Sequence, residues 1–320
     1  MSLKRRRFLV LGGLSGLGVA VSVKALFNRA NAASQLAKSL EPIESPIQPK
    51  QQDLVLRFVA LADTGAGDRN QYAVANAMNR HYSQSPYPMV ILAGDNIYTN
   101  GEIEKIRDVF ELPYEQLLKR GTRFYAALGN HDVRTENGDP QVRYPGFRMK
   151  GRYYTFREKS VQFWMLETNP SADWRGQLAW LERELSKSDA PWKVVVGHHP
   201  IYSSGRYGTD ANLVSLLTPL FKKYGVQLYI NGHEHSYERT QSIDGTTYLV
   251  TGIGGAHLRP TGRSSWTGYS TSRFGFSSVS VYDDRLEISG IGTDSKVFDK
   301  GIIPMAKGEE RRSEPKGSAS

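Results

Sequence analysis

The chain has 320 residues, of which 39% are hydrophobic and 23% charged, which is ordinary globular composition and enough for one large core or two small ones. It contains no cysteine, which excludes disulfides, thiolate metal sites and a cysteine nucleophile, so any metal ion needs oxygen and nitrogen ligands. The formal net charge is +9, but residues 1–32 hold six of the positive charges and no acid, and the remaining +3 is too small to indicate a nucleic-acid partner.

Residues 1–32 predict an export signal. A basic start is followed by a Gly-rich apolar run at 8–23 and by small residues at 30–32. The three arginines at 5–7 resemble a twin-arginine signal, which implies the twin-arginine export machinery as a partner and a periplasmic or secreted protein. The alternative is an uncleaved membrane anchor. The apolar run is shorter than the ~20 residues that a span needs, which disfavours the anchor. After cleavage we expect no stable membrane insertion.

The next segments divide the chain further. Residues 33–52 contain Pro and Gln without a sustained period and are predicted to be a linker, whereas residues 306–320 are charged and small and are predicted to be a solvated tail. Residues 53–305 are predicted to form one domain.

Within this domain, apolar runs alternate with amphipathic stretches, which is the pattern of an α/β protein. The predicted strands are "LVLRFVALAD", "MVILAGD", "TRFYAALGN", "VQFWMLET", "KVVVGHH" and "VQLYING". The stretch "FREKSVQFWMLET" predicts a hairpin. Helices are predicted at about 69–83, 102–119, 174–187 and 210–223.

Residues 245–292 change character. The runs "TTYLVTGIG", "GFSSVSVYDD" and "RLEISGIG" are short, alternate in polarity and are bounded by Gly and Asp. They predict antiparallel strands that close a second sheet.

The predicted strands end in residues that can bind a ligand. These residues are Asp63, Asp95, Asn130 with His131, His198 with His199, and His233 with His235. In an open α/β sheet, ligands bind where strands pass into loops. Turn formation alone explains an Asp beside a Gly, but it explains the histidines poorly. Carboxylates, an amide and imidazoles suit two hard or borderline cations.

Five ordered blocks carry a family resemblance. "ADTG", "GDNIY", "GNHD", "GHHP" and "GHEH" resemble the motifs of the calcineurin-like metallophosphoesterases. Tyr98, three residues after Asp95, together with "GHEHSYER" and "GIGG", resembles the purple acid phosphatase branch. The resemblance extends from about Leu54 to Ile291. It implies two packed mixed β-sheets flanked by helices, in a single catalytic domain.

The resemblance also implies the ligands of two metal ions, one usually Fe(III) and the other a divalent Fe, Zn or Mn ion. Asp63, Tyr98 and His235 would bind the ferric ion; Asn130, His198 and His233 would bind the divalent ion; Asp95 would bridge the two. The implied activity is that of an exported acid phosphatase, which hydrolyses small phosphate monoesters by in-line attack of a metal-activated hydroxide.

The resemblance assigns a further role to His131, which would steady the transition state and protonate the leaving group. The alternative is a histidine that merely orients its loop. Substrate contacts are predicted at His199, Arg206, Tyr207 and His257. Tyr207 stands where the small mammalian-type members carry a second acid histidine. His257 has loop filling as its alternative role, and His81 is predicted to lie at the surface.

Two other functions remain open from the sequence. One is a phosphodiesterase or nucleotide hydrolase on the same fold, and the other is a low-turnover protein that binds metal or phosphate. The tyrosine in "GDNIY" favours the monoesterase, because other branches of the superfamily lack a tyrosine ligand there.

Overall fold

The computed structural model describes residues 54–305, so the predicted signal peptide, linker and solvated tail lie outside the described residues. The strands, in chain order, are β1 (Leu56–Leu61), β2 (Met89–Ala93), β3 (Arg123–Ala127), β4 (Tyr154–Glu158), β5 (Val161–Met165), β6 (Trp192–Val196), β7 (Leu228–Asn231), β8 (Tyr237–Thr240), β9 (Thr247–Thr251), β10 (Thr267–Thr271), β11 (Gly275–Val281), β12 (Arg285–Gly292) and β13 (Val297–Pro304). The α-helices are α1 (Arg69–Gln84), α2 (Glu115–Lys119), α3 (Asp139–Arg143), α4 (Trp174–Lys187) and α5 (Ala211–Tyr224).

The strands form two mixed sheets. The first has the order β13-β12-β11-β1-β2-β3, and the second has the order β10-β8-β9-β7-β6-β5-β4. In the first sheet β1, β2 and β3 are parallel and β11 to β13 are antiparallel; in the second, β5, β6, β7 and β9 are parallel. The prediction of two packed mixed sheets flanked by helices is confirmed.

The alternation of side chains along each strand explains the layers. In β1, Phe58 points into the core between the sheets, where its ring lies 5.2 Å from that of Phe163 on β5. Val59, its neighbour, faces the opposite side and packs with Val74 of α1. Successive side chains of a strand point to opposite faces, so a strand buried on both faces must be apolar throughout.

Helices α4 and α5 cover the outer face of the second sheet in the same way. Leu181 of α4 and Leu217 of α5 pack with Trp164 of β5. Asp210 is the N-cap residue of helix α5, and its side chain accepts hydrogen bonds from the backbone amides of Asn212 and Leu213. Three of the four predicted helices, 69–83, 174–187 and 210–223, are confirmed to within one residue at each end.

The predicted helix at 102–119 is wrong. The segment contains a short 3₁₀ turn at Ile103–Lys105, a π-helical turn at Arg107–Glu111 and the short helix α2. Pro113 lies between the last two elements. Proline has no backbone N–H to donate and its ring clashes with the preceding turn, which disfavours one continuous helix through this position.

The prediction for the last strands is only partly correct. β9 does lie in the second sheet, but β11 and β12 extend the first sheet, with β11 antiparallel to β1. Pairing between segments more than 200 residues apart in sequence leaves no local pattern that could reveal it. The strands β8, β10 and β13 were not predicted.

His81 is not a simple surface residue. It lies half-buried on α1, its ring is 5.6 Å from that of Phe276, and its Nε2 is 3.0 Å from the Ser278 hydroxyl on β11. Burial, and then the charge of Arg57, lower the pKa of His81 to about 4. The prediction of a surface position is therefore wrong.

The two sheets are joined by backbone hydrogen bonds at one edge. The amide of Ala62, just after β1, donates to the carbonyl of Thr251 at the end of β9, over 3.0 Å. The amide of Ala256 donates to the carbonyl of Asp63 over 2.9 Å. This edge is where the parallel strands of both sheets end. Within residues 54–305 we find no helix with the length and apolarity that a membrane span requires.

Candidate metal centre

Four side chains from both sheets converge in a first cluster. The Tyr98 hydroxyl lies 3.0 Å from Asp63 Oδ1, 3.0 Å from Asp95 Oδ2 and 3.2 Å from His235 Nε2. His235 Nε2 is also 3.2 Å from Asp63 Oδ1. Ligand atoms of the two aspartates and His235 lie within 4.8 Å of one another, all on buried residues, which is compact enough to hold a metal ion.

With a neutral His235 ring, this cluster has fewer protons than acceptors. His235 Nδ1 lies 2.7 Å from the carbonyl of His257, which can only accept, so Nδ1 carries a proton and Nε2 of the neutral ring is a lone pair. The Tyr98 hydroxyl has one proton and faces three such acceptors. A cation among these four atoms satisfies them all, so the donor set fits a metal ion of oxygen and nitrogen preference.

A second cluster lies beside the first. Asn130 Oδ1 is 3.1 Å from His198 Nε2 and 2.9 Å from His233 Nδ1. His198 Nδ1 is 2.9 Å from the carbonyl of Ala93, which fixes its proton there and leaves Nε2 free to bind a metal. When the His198 ring is neutral, the amide oxygen thus faces its lone pair, and a cation resolves the contact.

Asp95 joins the two clusters. Its Oδ2 faces Tyr98, while its Oδ1 lies 3.4 Å from His198 Nε2 and accepts a 2.9 Å hydrogen bond from the backbone amide of His131. Asp95 is 1% exposed. A carboxylate that offers one oxygen to each cluster has the geometry of a bridging ligand.

The backbone at three of these residues is left-handed. The φ angles are 57° at Asp63, 53° at Asp95 and 65° at His233, although none is glycine. Such conformations are sparsely populated and are kept where the surrounding structure determines them, often at functional sites. Gly94, with φ of 91°, lies directly under His198, because a Cβ built there would be 2.5 Å from the imidazole.

The charges of the site perturb its titration. Burial and then the carboxylates of Asp63 and Asp95 raise the pKa of Tyr98 far above its ordinary value. Burial opposes a charge on His198, but Asp95 outweighs it and raises the pKa of His198 to about 9. Without a cation, protons thus fill this acidic pocket. Metal binding would displace them, since ligands bind in their deprotonated forms.

His131 lies at the rim of the first cluster. Its Nδ1 is 2.6 Å from the carbonyl of Thr99, so this nitrogen carries a proton. Its Nε2 is 3.9 Å from Asp95 Oδ2, and its ring is 4.5 Å from that of Tyr98. The side chain is 19% exposed. The imidazole therefore has one nitrogen held by the backbone, while the other faces the site and lies 3.5 Å from Nη2 of Arg134.

The predicted substrate contacts are arranged around the second cluster. The ring of His199 lies 4.6 Å from that of His233, and the ring of Tyr207 stacks on His233 at 4.3 Å. The Arg206 guanidinium lies 5.8 Å from the Tyr207 ring. The side chain of His257 is exposed, and it is the backbone carbonyl of this residue that contacts the site, through His235.

Sequence reasoning missed three residues that organise the site. Asp132, fully buried, accepts hydrogen bonds from the amides of Asn96 and Gly129 and so ties the loop after β2 to the loop after β3. The Thr168 hydroxyl lies within 3.0 Å of the amides of both His198 and His199. The third residue, Arg259, donates from Nη1 to the carbonyl of His233. Asp132 could have been noticed in "GNHD", and Thr168 could have been noticed as the exit of β5.

Comparison with known proteins agrees with this geometry. Residues 56–237 match the family model described as calcineurin-like phosphoesterase. Purple acid phosphatase 7 of Arabidopsis thaliana is 31% identical over 69% of this chain and 77% of its own length. Tartrate-resistant acid phosphatase type 5 of Rattus norvegicus is 27% identical over 78% of this chain and 90% of its own length.

Two solved structures share the fold. The purple acid phosphatase PPD1 of yellow lupin (Lupinus luteus) seeds has a TM-score of 0.67 and 21% identity over 81% of this chain and 55% of its own. GAP50, the anchor in the inner membrane complex of Plasmodium, has a TM-score of 0.71 and 21% identity over 79% of this chain and 90% of its own. The chain belongs to the calcineurin-like phosphoesterases and, within them, to the purple acid phosphatases, which confirms the predicted family and makes the protein a metal-dependent phosphatase.

Proposed function

We propose that the protein is an exported acid phosphatase that hydrolyses small-molecule phosphate monoesters at a dinuclear metal centre. The observation that carries the proposal is the pair of adjacent oxygen- and nitrogen-rich clusters that share Asp95. Export is supported only by the predicted signal peptide at residues 1–32, which lies outside the described residues.

The residues of the two clusters would hold the two ions. Asp63, Tyr98 and His235 would bind the ferric ion, and Asn130, His198 and His233 would bind the divalent one, with Asp95 shared. Two ions held in this way would lower the pKa of a bound water and neutralise charge on the phosphoryl group. The protein itself fixes the ligand orientation through the carbonyls of Ala93 and His257.

His131 is proposed to donate the proton that the leaving alkoxide needs. Its Nδ1 proton is committed to Thr99, so a second proton on the ring must sit on Nε2, which faces the cluster. A donor within reach of the leaving group typically contributes 10²–10⁴-fold, and more when the leaving group is a poor one.

His131→Ala separates this role from simple loop orientation. We expect a large loss of kcat on an alkyl phosphate, whose leaving group needs a proton, and a smaller loss on p-nitrophenyl phosphate, whose leaving group does not. Equal losses on both substrates would remove the acid role and leave a residue that only orients its loop.

The function itself is tested with the mature, metal-loaded protein on p-nitrophenyl phosphate and its bis-ester across pH, with Asp95→Asn as the control. We expect fast monoester hydrolysis with an acidic optimum, abolished in Asp95→Asn because both ions lose their shared ligand. A preference for the diester would make the enzyme a phosphodiesterase on the same fold. No turnover of either ester would favour a metal- or phosphate-binding protein.

A further inference from the structure

We propose that Arg206 and Arg259 form an anion subsite beside the metal centre, which binds a second phosphate or carboxylate carried by the leaving group of the substrate. The inference rests on the proposed function, since it concerns the part of a phosphate monoester that is released. It predicts that the enzyme favours monoesters of already anionic molecules.

A cleft of about 500 Å³ lies at this place. It is lined by residues 204–206 on one side and by residues 259–262 on the other. The side chain of Arg206 is exposed and that of Arg259 is half-buried. The volume lies within the range of small-molecule sites, so the cleft can accept a leaving group of the size of a sugar phosphate.

Tyr207 connects the cleft to the metal centre. Its ring stacks on His233, one of the proposed ligands, at 4.3 Å. The guanidinium carbon of Arg206 lies 5.8 Å from the centre of the same ring, and that of Arg259 lies 5.4 Å from it. Both cations are thus one aromatic ring away from the second cluster, which suits a substrate with two anionic groups separated by a few bonds.

The walls of the cleft are held in place. The backbone amide of Arg259 donates to the carbonyl of His235 over 2.9 Å, and its Nη1 donates to the carbonyl of His233 over 2.9 Å. On the other side, buried Glu238 accepts from the amide and the hydroxyl of Ser204, both at 2.7 Å. The loss of conformational entropy on ligand binding is small when the site is already ordered.

The positive charge of the cleft is largely free to bind an anion. In the described part of the chain, neither Arg206 nor Arg259 forms an ion pair with a carboxylate. Glu234 accepts from the amide of Tyr207 and Glu238 accepts from the amide of Ser204, and neither carboxylate lines the cleft. Guanidinium groups stay charged at every working pH and match the oxygens of phosphate and carboxylate in pairs.

The subsite is tested with matched pairs of substrates on the metal-loaded enzyme. Fructose 1,6-bisphosphate is compared with fructose 6-phosphate, and ADP with AMP. In each pair we measure the ratio of kcat/KM for the compound with two phosphates to kcat/KM for the monophosphate. The two pairs distinguish a second phosphate on a sugar from one in an anhydride. The variants are Arg206→Ala, Arg206→Glu and Arg259→Gln, and Arg183→Ala, an exposed arginine on α4, is the control.

We expect Arg206→Ala and Arg259→Gln each to lower the ratio by on the order of tenfold for at least one pair, as the loss of one charge-assisted hydrogen bond implies. Arg206→Glu should lower it further, and added salt should shrink the ratio of the wild type because a half-exposed cleft is screened. Arg183→Ala should keep it. A mere change in loop structure would lower both members of a pair together.

Two outcomes overturn the proposal in different ways. If fructose 6-phosphate and AMP are hydrolysed but the ratios of all three variants equal that of the wild type, the subsite is wrong and the phosphatase function stands. If the wild type hydrolyses p-nitrophenyl phosphate but none of the four compounds, the subsite is wrong and the phosphatase function stands. If p-nitrophenyl phosphate is not hydrolysed either, the proposed function fails, and the subsite fails with it.

Discussion

The two sheets contribute different chemistry to the metal centre. The loops that follow β1, β2 and β3 of the first sheet carry Asp63, Asp95, Tyr98 and Asn130, which offer oxygen atoms. The loops that follow β6 and β7 of the second sheet carry His198, His233 and His235, which offer nitrogen atoms.

Neither sheet holds a complete site, and the hydrogen bonds across the interface explain how the two halves are aligned. The amide of His233 donates to Asp63 Oδ2 over 3.0 Å, and the imidazole of His198 contacts the carbonyl of Ala93 on the first sheet. The ligands of one sheet thus orient those of the other. We therefore expect that the oxygen donors of the first sheet and the imidazoles of the second sheet can be perturbed separately.

The largest expected effect separates the two halves by metal content. Tyr98→Phe removes a proposed oxygen ligand of the first cluster only, so we expect it to lose the proposed ferric ion preferentially, together with any visible absorption that arises from a tyrosinate bound to iron. His198→Gln removes a proposed nitrogen ligand of the second cluster and should lose the proposed divalent ion. Each should lower activity more than the 10–100-fold typical of residues that merely support a ligand.

Metal analysis and visible spectra of the two purified variants measure this difference. Thermal unfolding of the metal-free proteins is the control, since it reports whether the fold has changed. Loss of both ions to the same extent in both variants would contradict two separable sites.

A smaller effect is expected where the second sheet positions its histidines. The Thr168 hydroxyl accepts from the amides of His198 and His199 and bonds His199 Nδ1 over 2.9 Å. Thr168→Val keeps the shape but removes these contacts, and we expect a 10–100-fold loss of activity or metal affinity. Thr155→Val is a matched control, because its hydroxyl bonds only within the β4–β5 hairpin and to Gln162.

Steady-state kinetics with metal titration measure the loss, and refilling with excess metal should restore part of the activity of Thr168→Val. An equal effect of the Thr155 and Thr168 substitutions would mean that the hydroxyl has no special role at the site.

The smallest expected effect is on the pH dependence of stability. It concerns His81, which lies on the outer face of the first sheet, away from the histidines of the metal centre. Burial and Arg57 hold the pKa of His81 at about 4, below the ordinary 6.5, so the unfolded chain takes up this proton first as the pH falls. The resulting stability is complete above pH 6.5 and is lost progressively between 6.5 and 4.

His81→Gln should remove this dependence. Urea unfolding of the metal-free proteins at about pH 7.5 and about pH 4.5 measures it, and acidification should cost the wild type more free energy of unfolding than the variant. Parallel losses in both proteins would show that His81 does not titrate in this range.

The sequence predicted much of the fold and the candidate site because both leave local signals. A strand followed by Gly stands directly before Asp95, His198 and His233. Parallel strands end at one edge of a sheet, so these residues are expected to lie together. The prediction of a helix at 102–119 was wrong because it gave more weight to the helix-like pattern of the segment than to Pro113, which interrupts it. The surface position predicted for His81 was wrong because the sequence of a helix does not show which strand packs against it.

Residue types and their spacing thus determined the family, the six central strands, three helices and the choice of oxygen and nitrogen donors. The tertiary structure alone decided which atoms meet: the pairing of β11 with β1, the position of Asp95 between the two clusters, the Thr168 and Asp132 contacts, and the approach of Arg259 to Tyr207. The physical reason is that strand ends and turns follow from neighbouring residues, whereas these contacts join side chains distant in sequence and form only when the two sheets pack together.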